Sequence, residues 1–185
     1  MECFPELDSD WHQHHVAGLA DWLPVFSFGT QNQAGGDTYN FHSMLAAGVA
    51  VHYFTYERTP VTEDGYPHAW LKARLDEFHA TKHLFAGDFY LLSDFSDTGH
   101  VWMIQQFDRP DLGEGLVKVF RSAVSPYSEA RVVLRGLDPE AVYEIGDLAE
   151  DKRRRISGNV LVTEGYAVTM AQPRSSRLIV YRKCD

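Results

Sequence analysis

Three histidines stand within four positions near the start of the chain, His12-x-His14-His15. Imidazole nitrogens are common ligands for zinc and copper, so this cluster is the first place to look for metal chemistry. On a strand, two histidines one residue apart point to one side; on a helix, His12 and His15 share a face at i, i+3. A catalytic metal also needs a third ligand in fixed geometry, for which Glu6, Asp8, Asp10 and His42 are at hand. No HExxH pattern accompanies the cluster, and its spacing supplies no complete ligand set. The expectation is therefore no metal and no cofactor. Glu6, Asp8 and Asp10 form an acidic run. Paired carboxylates can do acid and base work on a glycosidic bond, but acids this closely spaced read as a solvated loop.

A second group is aromatic. Trp22, Phe26, Phe28, Tyr53, Phe54 and Tyr56 fall on or just after two segments that read as parallel strands. Residues at the C-terminal ends of such strands commonly line a pocket, and sugars stack on aromatic faces. Phe54 reads as core. Trp22 and Tyr56 are the candidate substrate-binding residues. The chain has no GxSxG elbow, no P-loop and no dinucleotide fingerprint, and Ser157-Gly158 and Ser175-Ser176 lack a nucleophile's context. No catalytic residue is assigned.

The composition narrows the partners. The chain has 185 residues, a formal charge of −9, 44% hydrophobic and 13% aromatic residues. That is ample material for a core, and the acidic balance argues against nucleic acid, whose phosphates need clustered Lys and Arg. Lys152-Arg153-Arg154-Arg155, the one basic run, reads as a solvated turn. Apolar runs such as Leu45–Val51 are far too short to span a bilayer. Two cysteines, Cys3 and Cys184, make no disulfide framework, and Met1–Glu6 has neither a basic nor an apolar leader region. Cytoplasmic location is the expectation.

The elements that must position these residues fall into two patterns. In residues 16–28 the central part reads as a buried strand. Residues 31–40 hold loop residues, Phe41–Ala47 reads as a short helix, Gly48–Phe54 as a second buried strand, and His68–Lys82 as a helix with Leu71, Leu75 and Phe78 at helical spacing. This alternation indicates parallel α/β organisation. After Gly87 the pattern changes to some eight short strand candidates: Phe89–Leu92, His100–Ile104, Gly115–Arg121, Ala130–Leu134, Val142–Ile145, Asn159–Val162, Tyr166–Met170 and Arg177–Tyr181. Turn signals separate them and no long helix intervenes, which indicates an antiparallel sandwich.

Several segments together resemble α-galactosidases of glycoside hydrolase family 36. Gly18-Leu19-Ala20-Asp21-Trp22-Leu23-Pro24 is similar to that family's Gly-Leu-x-x-Trp-Leu-Pro. Tyr39-Asn40-Phe41-His42-Ser43 resembles its Tyr-x-Phe-Arg-Ser, with His42 in place of Arg. Phe85–Leu92 resembles Tyr-Gly-Asp-Tyr-Tyr-Pro-Leu, and Trp102–Phe107 resembles Trp-Met-Ala-Trp-Gln-Phe. Gly113-Glu114-Gly115 with Val119-Phe120-Arg121, Leu134–Tyr143, Ser157-Gly158 and Ser176–Tyr181 complete the ordered set.

The resemblance implies an α/β remnant of a (β/α)8 barrel, its last strands and helices, over residues 1–84. An all-β antiparallel C-terminal sandwich follows over residues 85–185. It implies a parent enzyme that hydrolyses α-galactosides or related oligosaccharides with retention and without a metal, using one carboxylate as nucleophile and another as acid/base. A complete barrel takes about 250 residues. The family's nucleophilic Asp has no counterpart here, and Ser9-Asp10 stands too close to Gly18 to match its acid/base segment. The chain alone is then expected to be inactive. The alternative is a free-standing carbohydrate-binding or assembly module without catalysis. The apolar remnant would be covered by docking or by self-association into a homo-oligomer.

Overall fold

Asp10 lies in the first turn of the first helix, where a carboxylate suits the positive end of the helix dipole. This computed structural model describes residues 9–23, 27–30, 36–51 and 67–184. The helix, α1, runs Ser9–Ala20 and buries His12, Gln13, Val16 and Ala17 along one face. The chain divides into two compact units, Met1–His83 and Leu84–Asp185.

In the N-terminal unit, β1 (Ser27–Thr30) and β2 (Gly48–Val51) pair in parallel, Ser27 opposite Gly48 and Thr30 opposite Val51. Parallel neighbours need a crossover, and α2 (Thr38–Met44) lies within it. Asp37 caps α2: its carboxylate accepts from the Asn40 amide at 3.0 Å. α2 packs on α1 and buries Tyr39, Phe41 and Met44. α3 (His68–Thr81) follows and passes into a 3₁₀ turn, Lys82–Ala86.

The buried strand expected in the middle of residues 16–28 is corrected here. α1 continues to Ala20 and the chain turns at Asp21 and Trp22. The buried positions 12, 13, 16 and 17 recur at helical spacing, and only Val16 between residues 16 and 23 is β-branched. Period therefore decides over hydrophobicity.

The C-terminal unit is mostly antiparallel sheet. Its strands are β3 (Asp88–Leu91), β4 (Met103–Arg109), β5 (Glu114–Arg121), β6 (Glu129–Val132), β7 (Val142–Asp147), β8 (Arg154–Ser157), β9 (Tyr166–Thr169) and β10 (Ser175–Lys183). Six form one sheet in the order β3-β4-β5-β10-β7-β8, and β6 pairs with β9 in a second. The final strand thus sits mid-sheet, between β5 and β7. Val117, Val119, Ile145 and Ile179 of the large sheet share one core with Val132 and Val168 of the small one. The opposite face of β4, β5 and β10 is buried as well: Gln105, Phe107, Leu116, Lys118, Phe120 and Leu178 all lie inside.

Two expectations in this unit are corrected. Asn159–Val162 is not a strand but lies in the short helix α4 (Gly158–Thr163), capped by Ser157 Oγ accepting from the Val160 amide. Gly158 permits this turn, since a Cβ there would lie 2.0 Å from the Asp138 carbonyl oxygen. The basic run is not wholly a turn either. Arg154 and Arg155 open β8 at the sheet edge, where charge discourages pairing with another chain. Among the described residues, no helix is long and apolar enough to cross a membrane.

Candidate functional site

The polar residues of the N-terminal unit converge on the seam between α1 and α2. Asp10 projects from the first turn of α1, and its carboxylate accepts from Tyr39 Oη at 2.5 Å and Gln13 Nε2 at 3.4 Å. Gln13 Nε2 also donates to Ser43 Oγ at 2.9 Å, and Asn40 Nδ2 donates to Ser9 Oγ at 3.0 Å. Tyr39 and Asn40 each share a face with Ser43, four and three residues on, so all three can reach α1. These bonds satisfy polar groups that α1–α2 packing removes from water, so the seam fixes the two helices in one register.

On α3, a second network grips α2. Thr38 Oγ1, in the first turn of α2, accepts from Trp70 Nε1 at 2.9 Å and Arg74 Nη1 at 3.0 Å. Arg74 also clasps Glu77 with two bonds, 2.7 Å to Oε2 and 2.6 Å to Oε1. Glu77 Oε2 meets His42 Nε2 of α2 at 3.0 Å. Burial pulls the Glu77 carboxyl upward, but His42 and Arg74 outweigh it and hold its pKa below the usual carboxylate value. Trp70 also meets Phe41 edge-on, ring centres 6.0 Å apart. Gly36 lies at φ +74°, and a Cβ there would come within 2.8 Å of the indole. The helix N-termini that follow β1 and β2 are thereby clipped together.

In the C-terminal unit, one row across the large sheet reads Asp88, Asp108, Gly115, Tyr181, from β3 to β10. With no side chain at Gly115, the Tyr181 ring crosses β5 and donates its hydroxyl to Asp108 Oδ1 at 2.6 Å. A Cβ at 115 would lie 2.1 Å from that ring. Gln106 Nε2 donates to Tyr181 Oη at 2.8 Å and to the Arg135 carbonyl at 2.7 Å, while its Oε1 accepts from the Arg135 amide at 2.9 Å. Burial raises the Asp108 pKa; the tyrosine bond works against this, and Asp88 and Asp111 add to it. Burial, then the bond to Asp108, also pushes the Tyr181 phenol far upward. The network pins β4, β10 and the segment around Arg135 together. The sequence carried a signal for it: Gln106 and Asp108 share strand parity with the core residues Trp102 and Ile104.

The sequence candidates are distributed differently. The histidines lie on α1, so the helical alternative applies: His12 and His15 meet edge-on at 6.5 Å between ring centres, and His14 turns to Trp11 at 6.1 Å. Among the described residues, no three His, Cys, Asp or Glu side chains gather to hold a metal ion. Glu6 and Asp8 lie outside the described residues, and Asp10 belongs to the helix seam. Trp22 is 83% exposed in the turn between α1 and β1. It therefore precedes the N-terminal end of β1, and the argument from strand C-terminal ends does not reach it. Tyr56 lies outside the described residues, in the segment that follows β2.

Residues 101–180 match the glycosyl hydrolase family 36 C-terminal domain. No curated protein matches the chain. Among solved structures it is similar to the galactosidase domain of the α-galactosidase–sucrose kinase AgaSK. The TM-score is 0.72 at 18% identity, covering 98% of this chain and 26% of that one. It is also similar to a family 36 α-galactosidase, AgaA from Geobacillus stearothermophilus, solved with raffinose and with stachyose. There the TM-scores are 0.58 and 0.60 and the identities 22% and 21%, covering 78% of this chain and 19% of that one. The chain thus spans about a quarter or less of these proteins, and at these identities the likeness is one of fold.

Proposed function

From the premise that residues 101–180 are a glycosyl hydrolase family 36 C-terminal domain, we propose that the chain is the C-terminal part of a retaining α-galactosidase-like enzyme. The substrates in this reading are α-linked galactosides and related oligosaccharides. Residues 1–84 are the last elements of its (β/α)8 barrel, and residues 85–185 its C-terminal β domain. One observation carries the reading: the match to the AgaSK galactosidase domain extends over 98% of this chain and includes the N-terminal unit. The parallel pair β1–β2 with α2 in its crossover supports it, because a βαβ unit is the repeating piece of such a barrel.

Retaining hydrolysis needs a carboxylate nucleophile and a second carboxyl that first protonates the leaving oxygen and then activates water. In this reading neither lies in the chain. The carboxylates of the three networks are engaged in scaffolding: Asp10 with Tyr39, Glu77 with Arg74 and His42, Asp108 with Tyr181. Tyr56, which follows β2 in the sequence, is the aromatic residue proposed to stack on sugar. Trp22 could contribute only through its exposed indole face.

The test is an assay of the purified chain on an aryl α-galactoside. We expect no turnover above the uncatalysed background, because removing one member of a catalytic carboxylate pair abolishes most of the rate. Turnover that persists through repurification and disappears in Asp10→Asn would overturn the reading and make the α1–α2 seam catalytic.

A further inference from the structure

We propose that α1 docks against α1 of a second copy of this chain, through the aromatic face it turns away from α2, to form a two-fold dimer. The buried residues of α1 are Ser9, His12, Gln13, Val16 and Ala17. Trp11, His14, His15, Gly18 and Trp22 lie on the opposite side, at i, i+3, i+4, i+7 and i+11. Trp22 keeps this register past the end of the helix, because its amide and that of Leu23 still donate to the Leu19 carbonyl, at 3.0 and 2.8 Å. Trp11 is 52% exposed, Trp22 83% and Leu23 39%.

A helix face that meets only water carries charge. Between Trp11 and Ala20 no Asp, Glu, Lys or Arg occurs. Two tryptophans with a leucine beside them leave an apolar strip in solvent, and that is the composition of an interface rather than of an ordinary surface.

The occupant follows from the shape of the strip. Trp11 is a knob, and His14 meets its indole edge-on at 6.1 Å. Gly18 is a hole: a Cβ built there would find nothing of its own chain within 4 Å. The two stand at i and i+7, about two turns apart on one line of the helix. In an antiparallel pair of α1 helices with the two-fold axis between His14 and His15, Trp11 of each copy lies over Gly18 of the other. The fit is reciprocal, as an isologous interface requires, and it closes at two copies. Any other partner would need its own knob and hole at the same spacing, whereas a second copy has them by identity. Antiparallel packing also sets the helix dipoles head to tail, and the uncharged strip puts no like charges opposite each other. At about 150–250 Å² for a whole tryptophan, two such strips hide on the order of several hundred Å², the scale of a weak interface. The dimer is therefore reversible, in the micromolar range. The inference goes beyond the proposed function and does not rest on it, since its readout is mass rather than turnover.

The experiment is sedimentation equilibrium of the full chain from low micromolar to a few hundred micromolar. We expect the average mass to climb with concentration from 21.0 kDa toward twice that value. Gly18→Gln fills the hole at an open position and suits a helix better than glycine, so it should fold as well as wild type in dilute solution and weaken the dimer at least tenfold. Trp11→Ala removes the knob and should weaken it likewise. Gly18→Trp alone should weaken it too, whereas Trp11→Ala with Gly18→Trp exchanges knob and hole under the same two-fold axis and should regain association. A wild-type chain that stays at monomer mass throughout would overturn the proposal and leave the strip to another polypeptide. A dimer undiminished in both Gly18→Gln and Trp11→Ala would overturn it, since the contact would then lie elsewhere. So would stronger association in Gly18→Trp alone, or a double variant that associates no better than the single ones, because the strip would then be adhesive without the reciprocal fit.

Discussion

Substituting alanine at Gly115 should cost this protein more than any single hydrogen bond in it. The added Cβ would stand 2.1 Å from Tyr181 Cζ and Oη and 2.7 Å from the Phe107 carbonyl oxygen. Ordinary contact begins at 3.4 Å, so the tyrosine must retreat, yet it sits in a packed core and cannot do so freely. Retreat breaks the 2.6 Å bond to Asp108 and the 2.8 Å bond from Gln106. Leaving a buried polar partner unsatisfied costs about 1–3 kcal/mol. Overpacking a core adds about 1–3 kcal/mol. The expected loss is therefore about 2–6 kcal/mol, which in a chain of this size lowers Tm by roughly 5–20 °C. Thermal and urea unfolding followed by circular dichroism measure it. Tyr181→Leu in the Gly115→Ala background frees the space, so the double variant should lose less than the two single losses together. A Gly115→Ala protein melting within about 2 °C of wild type would refute the reasoning, because the tyrosine could not then cross β5 at that glycine.

Three further outcomes follow from the same structure. Asp108 holds its proton more tightly folded than unfolded, so its contribution to stability is present in acid and lost as pH rises from about 3.9 through the raised native value. Asp108→Asn should therefore gain on wild type across that window and run parallel to it above, as read from urea midpoints between pH 4 and 7.5. Asp37→Ala removes the cap on the Asn40 amide and should cost about 1 kcal/mol, seen as faster amide exchange in the first turn of α2. Elemental analysis of protein purified without a tag should find no stoichiometric zinc; a full equivalent lost in His14→Ala would contradict the reading of the His cluster as helix packing.

Much of the architecture was legible from period and turn chemistry. Leu71, Leu75 and Phe78 recur at helical spacing, and α3 spans His68–Thr81. Turn residues and short runs of β-branched and aromatic residues likewise mark β5, β7 and β10. The reading failed where short apolar runs fit either period. Residues 16–23 and 159–162 are hydrophobic enough for a buried strand. A helix face packed on α2 decides the first, and a serine cap with a close glycine contact decides the second. The candidate site was legible only as residue types. His12, His14 and His15 offered ligand chemistry, but whether a third ligand stands beside them is a distance, and spacing along a chain does not contain it.

By itself, then, the sequence determined the local elements, the change of pattern near residue 86 and the ordered motifs whose likeness to family 36 the match over residues 101–180 supports. These are properties of neighbours along the chain, written in period, caps and turns. The tertiary structure alone decided which polar residues became buried partners. Tyr181 and Asp108 are 73 positions apart and meet across a glycine on a third strand. His42 and Glu77 are 35 apart and meet between two helices. Lys118 gives the clearest case. Lysine is almost never fully buried, yet Lys118, at the centre of β5, is fully buried over the Phe120 ring, and burial drives its pKa well below the ordinary lysine value. Strand parity fixes which side of a sheet a residue takes, and only the packing of the whole chain fixes whether that side meets water.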